Sequence, residues 1–572
     1  MNSIHSAKVH DLWQIEKIGV IGPGIVGMPM AALLANARIK TGNNHPVKVV
    51  VVQRNSINSG WKVDAINHGQ SVIGGIEPGL NKIVSETVAE GILSATHNIE
   101  DIHDADVILV AVQTDKKGFG PDYGPMFEAL TGLAQALQKK PKNKKTLIIF
   151  ESTLAPSSMT TVIKEHFAKY GLIEGKDILL GNSPNRVMPG RLVERVAQSD
   201  KLAGGLHPET SKMIYSLYSN VVTEAIVHKT NSLTAEIVKT LENAYRDVRI
   251  AFSTEIVRYC DKHNIDFYQV REKVNLLAGQ NDSASFNPNA VPSGALLIPT
   301  IGVGGHCLPK DGILLWWRKI ESGADTAHSL ILNSRIINNA SPAKAISLAE
   351  ENFGDISGKK IALLGTAYRF NSEDTRNSPT LVLANQLLEK NCSIILHDPY
   401  VKSTDQNLLR FNMDQYFTRD MEKALREAEY AFVCTAHKVY AEGLDYILQS
   451  APNLKGLFDG CNIYSKKDLE YKGIKHAGIG KGEISPSNAF IEFVYQCFRI
   501  VEKGLANEVL SMIEFLNKNY ADGEFNKVDF KEVQRLAGSC VTGCLIAEPG
   551  KIHHTKDYKG FMPKLVSCSF KS

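Results

Sequence analysis

The residues best suited to chemistry lie in the segment Ile301-Gly-Val-Gly-Gly-His-Cys-Leu-Pro-Lys-Asp311. Gly302, Gly304 and Gly305 make a loop that substrate and water can approach closely, and they place Cys307 on it rather than on an apolar face. A thiolate adds readily to a carbonyl, and the acyl product can be cleaved by water, so Cys307 reads as a covalent nucleophile. Packing in a core is the ordinary use of a lone cysteine; the glycine surroundings argue against it here. A second segment, Gly22-Pro-Gly-Ile-Val-Gly27, follows the apolar run Ile18–Ile21 and precedes a small-residue helix. Gly22, Gly24 and Gly27 have the spacing for a tight turn, close approach to a pyrophosphate and packing of helix on strand. Ile25 and Val26 complete that candidate cofactor turn. After the second strand, where an acidic residue commonly holds the ribose hydroxyls, the chain has Gln53 and Arg54. Gln53 can bond a hydroxyl, while Arg54 either pairs with a 2′-phosphate or points to solvent, which leaves NAD and NADP both open.

Elements that could position these residues are visible in the apolar pattern. Short β-branched runs at Val47–Val52, Ala105–Val112 and Thr146–Phe150 alternate with helical stretches, as in a doubly wound parallel sheet. Ile237, Leu241, Ala244, Val248, Ala251 and Phe252 recur at helical spacing and predict a long connecting helix over about 234–265. A second α/β pattern follows at 359–365, 380–389, 392–396 and 430–435, and a further helix is expected from about Ile484 to Asn519. The expected fold is therefore α/β, with two Rossmann-like domains joined by a long central helix and an extra C-terminal region. The boundaries expected are 1–230 for cofactor binding, 231–340 for a central helical dimerisation region with the cysteine loop, 341–484 for the second α/β domain, and 485–572 for a tail without a motif.

Composition excludes several alternatives. The 572 residues are 43% hydrophobic and 22% charged, and 64 Lys and Arg against 61 Asp and Glu give a net charge of +3. That balance does not suit nucleic-acid binding, so an anionic ligand needs a local site. No apolar run reaches the length of a membrane span, and Met1 to Trp13 carry no basic and then apolar pattern, so a cytoplasmic protein is expected. Nine scattered cysteines read as reduced thiols. Cys540-Val-Thr-Gly-Cys544 and His553-His554 lack the tight spacing of a zinc site, and no metal is expected.

Over roughly Lys17 to Gly482 the sequence resembles the UDP-glucose/GDP-mannose dehydrogenase family. The matching motifs are the glycine turn, Glu151-Ser-Thr-Leu-Ala-Pro156, Ser183-Pro-Asn-Arg-Val-Met-Pro-Gly190, Ala235-Glu-Ile-Val-Lys-Thr-Leu-Glu-Asn-Ala-Tyr-Arg-Asp247, the cysteine loop and Leu363-Leu-Gly-Thr-Ala-Tyr-Arg-Phe-Asn-Ser-Glu-Asp-Thr-Arg376. The resemblance implies oxidation of a sugar C6 hydroxyl to a carboxylate by two hydride transfers, through a thioester on Cys307. It implies roles for Lys239 and Asn243 at the forming alkoxide, for Asp311 in moving protons and positioning water, and for Thr153 near the reacting centre. Thr114 and Thr153 join the candidate cofactor contacts. Asn185, Arg186, Arg246, Gly304, Arg369 and Arg376, with Lys239 and Asn243, are the candidate sugar-nucleotide contacts.

Two departures stand out. Asn185 occupies a position where the family commonly has Glu, and it cannot serve as a base in thioester hydrolysis. Cys461 stands where relatives often have Arg. The Gly-Gly-His-Cys form of the loop and Glu242-Asn-Ala-Tyr-Arg-Asp247 resemble the UDP-N-acetylhexosamine branch, whereas Lys310 belongs more to the UDP-glucose branch. A homodimer or higher homo-oligomer acting on a small UDP-sugar is expected. The competing classes are a simple β-hydroxyacid dehydrogenase, which needs no cysteine loop, and a nucleotide-sugar-binding homologue with partial or lost turnover.

Overall fold

The computed structural model describes residues 14–40, 44–74, 77–141, 144–186, 191–279, 294–540 and 544–571. The N-terminal segment Met1 to Trp13, and Val187 to Gly190 of the Ser183-Pro-Asn-Arg motif, lie outside the described residues. The chain divides into two compact units. One comprises residues up to Glu242 with Ile313–Ala324 and Leu510–Leu545; the other comprises Asn243–Gly312, Asp325–Val509 and Ile546 onward.

The first unit is built on an eight-stranded sheet. Its strands run in the order Val227–Asn231, Lys201–Gly205, Ile178–Asn182, Thr146–Phe150, Val107–Val110, Lys17–Ile21, Lys48–Val52 and Leu93–Thr96. Neighbours are parallel except the pair Ile178–Asn182 and Lys201–Gly205. Because successive side chains in a strand point to opposite faces, one strand feeds two cores. Ile18, Val20, Val49, Val51, Val107, Leu109, Leu147 and Ile149 enter one cluster. Ile21, Val52, Ile108, Val110, Ile148 and Phe150 enter the other. Burial on both faces is why these strands read as unbroken β-branched runs.

The second unit holds a six-stranded parallel sheet in the order Phe417–Thr418, Ser393–His397, Lys360–Leu364, Tyr430–Val433, Gly456–Asp459 and Lys475–Gly478. Between the two sheets in sequence lies the 31-residue helix Ser232–Lys262, about 46 Å long at 1.5 Å per residue. All six apolar positions that predicted it are buried. The tail forms a 33-residue helix, Asn488–Tyr520, and shorter helices Phe530–Gly538 and Lys564–Ser569. No helix among the described residues is long and apolar enough to cross a membrane.

Candidate active site

In the first unit the strand Lys17–Ile21 ends at Gly22, whose φ of +93° only glycine adopts without strain. A side chain at Gly22 would meet the Ala111 carbonyl at 2.9 Å, and one at Gly27 would collide with the Gly22 carbonyl. A side chain at Gly24 would meet nothing within 4 Å among the described residues, so the backbone there is open to a phosphate at the head of the helix Gly27–Asn36. Ile25 and Val26 are half-buried in this turn. The amide of Gln53 donates to Ser59 Oγ at 2.9 Å. The Arg54 guanidinium pairs with Glu128 at 3.2 Å, both side chains being 68% exposed. This geometry suits a dinucleotide pyrophosphate at the glycine turn.

Thr153 lies half-buried on the loop after the strand Thr146–Phe150, and the buried Thr114 hydroxyl donates to its carbonyl at 2.8 Å. The loop is held by side chains that the motif did not reveal. Tyr123 OH accepts from the Ala155 N–H at 2.7 Å and shares a hydrogen bond with Ser158 Oγ at 2.8 Å. Ser157 takes a left-handed φ of +76°, and its N–H and that of Met159 donate to the two carboxyl oxygens of Glu236 at 2.7 and 2.9 Å. Burial raises the Glu236 pKa to about 8, against the lowering effect of those N–H donors. Glu236 stands one helical turn before Lys239, which is itself buried. One face of the long helix therefore carries both a candidate catalytic lysine and the anchor of the Thr153 loop.

A second buried network in this unit steadies the Asn185 segment. Glu151 pairs with Lys201 at 2.9 Å and accepts from the Tyr218 hydroxyl, and burial lowers the Lys201 pKa. The Glu151 carbonyl accepts from the Asn185 N–H at 3.4 Å. Arg186, expected among the sugar-nucleotide contacts, is held by internal partners. Its guanidinium pairs with Glu242 at 2.5 Å, with both side chains almost fully buried, and also donates to the Leu536 carbonyl at 2.7 Å. The Arg186 guanidinium is thus committed to acceptors inside this unit.

In the second unit Cys307 immediately precedes the helix Leu308–Glu321, and its carbonyl accepts from the N–H groups of Lys310 and Asp311 at 3.1 and 2.9 Å. Cys307 thus stands at the positive end of that helix. Cys307 is half-exposed, whereas the other eight cysteines are buried. Asp311 is fully buried and bonded on both oxygens, by the Asn243 amide at 2.6 Å and by the Lys310 ammonium at 2.6 Å. Asn243 and Asp311, predicted from two different motifs, are thus joined side chain to side chain, and Cys307 meets Asp311 through the backbone hydrogen bond of the first helical turn. Lys310, noted in the sequence only as a branch marker, is the ion-pair partner of Asp311.

The glycine loop is suspended from the second domain. Gly305 donates its N–H to the Arg376 carbonyl at 2.8 Å and accepts from the Asn377 amide at 3.0 Å. A side chain at Gly304 would meet Tyr368 Cβ at 2.5 Å, so Gly304 serves close packing. Arg376 bonds Asp374 through Nε and Nη2 at 2.9 and 2.6 Å. Arg369 is half-buried on the same loop beside Phe370, and Arg246 is half-buried on the long helix. Asp398 shapes that loop by accepting from the Thr366 and Ala367 N–H groups at 2.8 and 2.9 Å and from His437 at 3.0 Å.

Comparison with known proteins fits these two halves. Residues 16–222 match the NAD binding domain of the UDP-glucose/GDP-mannose dehydrogenase family, residues 233–340 its central domain and residues 362–466 its UDP binding domain. The UDP-N-acetyl-D-mannosamine dehydrogenase of Campylobacter jejuni is 30% identical over 438 residues, covering 75% of this chain and 97% of that protein. The Pyrococcus horikoshii enzyme of the same name is 29% identical over 472 residues, covering 82% and 100%. The crystal structure of NDP-N-acetyl-D-galactosaminuronic acid dehydrogenase from Methanosarcina mazei Go1 superposes with a TM-score of 0.67 at 30% identity, covering 82% of this chain and 96% of that one. With an NAD binding domain, a central domain and a UDP binding domain all matched in order, the chain belongs to the UDP-glucose/GDP-mannose dehydrogenase family and is an NAD-dependent nucleotide-sugar dehydrogenase.

Proposed function

We propose that this enzyme oxidises the C6 hydroxyl of a UDP-N-acetylhexosamine to the carboxylate in two steps, with Cys307 carrying the sugar between them. The observation that carries the proposal is the Asp311–Asn243 pair one helical turn from Cys307, the half-exposed cysteine at the head of that helix. NAD, when bound at the glycine turn, supplies the hydride acceptor for each step. The Lys239 ammonium and the Asn243 amide stabilise the oxygen as it becomes an alkoxide. The Cys307 thiolate adds to the aldehyde carbon and gives a thiohemiacetal, which becomes a thioester on loss of the second hydride. Water then attacks the acyl carbon, the C–S bond breaks, and the carboxylate leaves as the thiolate is restored. Asp311, fixed by two partners, orients that water and takes its proton. Asn185 offers no base, so hydrolysis rests on Asp311 and is the slow step.

The UDP-N-acetylhexosamine preference is supported by the His306-Cys307 form of the loop and by the likeness to the UDP-N-acetyl-D-mannosamine dehydrogenases of Pyrococcus horikoshii and Campylobacter jejuni. The test is NADH formation with UDP-N-acetylmannosamine, UDP-N-acetylglucosamine, UDP-glucose and GDP-mannose. UDP-N-acetylhexosamines should give the highest kcat/KM, and Cys307→Ala should abolish formation of the acid. A higher kcat/KM with UDP-glucose or GDP-mannose, or acid formation by Cys307→Ala, would overturn the reading.

A further inference from the structure

The matched segments end at residue 466, and the Pyrococcus horikoshii relative is matched along its whole length by 82% of this chain. A complete relative therefore needs no counterpart of the last helices. In the first unit those helices are joined to functional sequence by specific bonds. The helix Phe530–Gly538 starts at Asp529, which caps the Glu532 N–H at 2.9 Å. Glu532 accepts from Thr230 Oγ1 at 2.8 Å, and the Phe525 and Lys527 carbonyls each accept from the Asn231 amide at 2.9 Å. At its other end the helix meets Arg186. The Leu536 carbonyl accepts from Nη2 at 2.7 Å and Ser539 Oγ from Nη1 at 3.2 Å. Cations are favoured at this end, where the last carbonyls of a helix face outward.

We propose that the C-terminal extension is a positioning element of the sugar-nucleotide half of the site, holding the Ser183–Arg186 segment through Arg186. This rests on the proposed function above for what the segment does, but not for how it is held. Arg186 is the neighbour of Asn185, and its ion-pair partner Glu242 is the neighbour of Asn243. A buried guanidinium needs several acceptors at fixed places, and the extension supplies two of them. The extension thereby decides how firmly Asn185 is presented.

The test uses the full-length chain with Glu532→Ala and Ser539→Ala together, which leaves residues 183–242 unaltered. Hydrogen exchange should quicken about tenfold at the Ser183 and Asn185 amides, while the amides around Gly22 keep their wild-type rates. The KM for the UDP-sugar should rise threefold or more, with the KM for NAD unchanged. Arg186→Lys should shift both readouts in the same direction. Unchanged exchange at Ser183 and Asn185 would overturn the proposal, as would equal increases in both KM values, which would indicate a general scaffold. If the wild-type chain oxidises no nucleotide sugar, the proposed function fails, and the exchange rates still decide whether the extension holds the segment.

Discussion

Lys310→Met should destabilise the protein strongly, and the loss should be largely reversed by adding Asp311→Asn. The Lys310 and Asp311 charges are 2.6 Å apart with side chains 2% and 0% exposed. Removing the ammonium alone strands a carboxylate in the interior with the Asn243 amide as a donor. Stranding one member of a buried pair costs about 3–5 kcal/mol, whereas replacing both charges by neutral groups is often close to neutral. At roughly 2–4 °C per kcal/mol, the single variant should lose on the order of 10 °C in Tm, and the double variant should regain most of it. Scanning calorimetry measures both, and the coupling between the two positions follows from the double-mutant cycle. Turnover should not recover with stability, because an amide in place of the Asp311 carboxylate could not take a proton from water. A Lys310→Met protein melting within about 2 °C of wild type would refute the reasoning, as would a double variant no more stable than the single one.

Glu236 should give the protein a distinctive pH dependence. Its folded pKa of about 8 exceeds the ordinary 4.5, so the folded state holds a proton that the unfolded chain has released. The stability it contributes is complete below about pH 4.5 and is lost as pH rises towards 8, with a slope of at most about 1.4 kcal/mol per pH unit. Glu236→Gln should therefore gain on wild type between pH 5.5 and 8 in thermal melts, and parallel curves would count against the buried proton. Arg54→Ala should change the KM for NAD less than threefold, since its exposed pair with Glu128 is worth only about 0–1 kcal/mol; a tenfold rise would return Arg54 to the cofactor contacts. Brief treatment with iodoacetamide should label Cys307 and spare the eight buried cysteines. Peptide mapping showing equal labelling elsewhere would contradict that difference in exposure.

The strands Lys17–Ile21, Lys48–Val52, Val107–Val110 and Thr146–Phe150 were legible in the sequence because they are buried on two faces and so keep continuous apolar runs, whereas Ile178–Asn182, Lys201–Gly205 and Val227–Asn231, interrupted by glycine or polar residues, were not. The long helix was legible for the related reason that six apolar positions repeat along one face. Local features could be read as well: the glycine turn, the half-exposed cysteine and the Asp311 that follows it by one helical turn. What stayed hidden depends on partners far apart in the chain. Arg186 looks like a ligand residue until Leu536, 350 positions away, takes up its proton donors. Glu236 looks like one more helix carboxylate until it meets the N–H groups of Ser157 and Met159. Nor did any glycine mark the left-handed turn at Ser157. Part of what ties the extension to Arg186 and Asn231 is hidden from the sequence because the Leu536, Phe525 and Lys527 carbonyls do it, and any sequence supplies a carbonyl.

The central claim is that Cys307 holds the sugar as a thioester and that hydrolysis of this thioester is slow. It is tested most directly by rapid acid quench of the enzyme turning over a UDP-N-acetylhexosamine with NAD, followed by mass mapping of the cysteine peptides. The account predicts a UDP-uronyl adduct on Cys307, formed in the initial burst, with two NADH released per sugar consumed. Steady-state turnover without any adduct on Cys307, or with an adduct only at another residue, would contradict it.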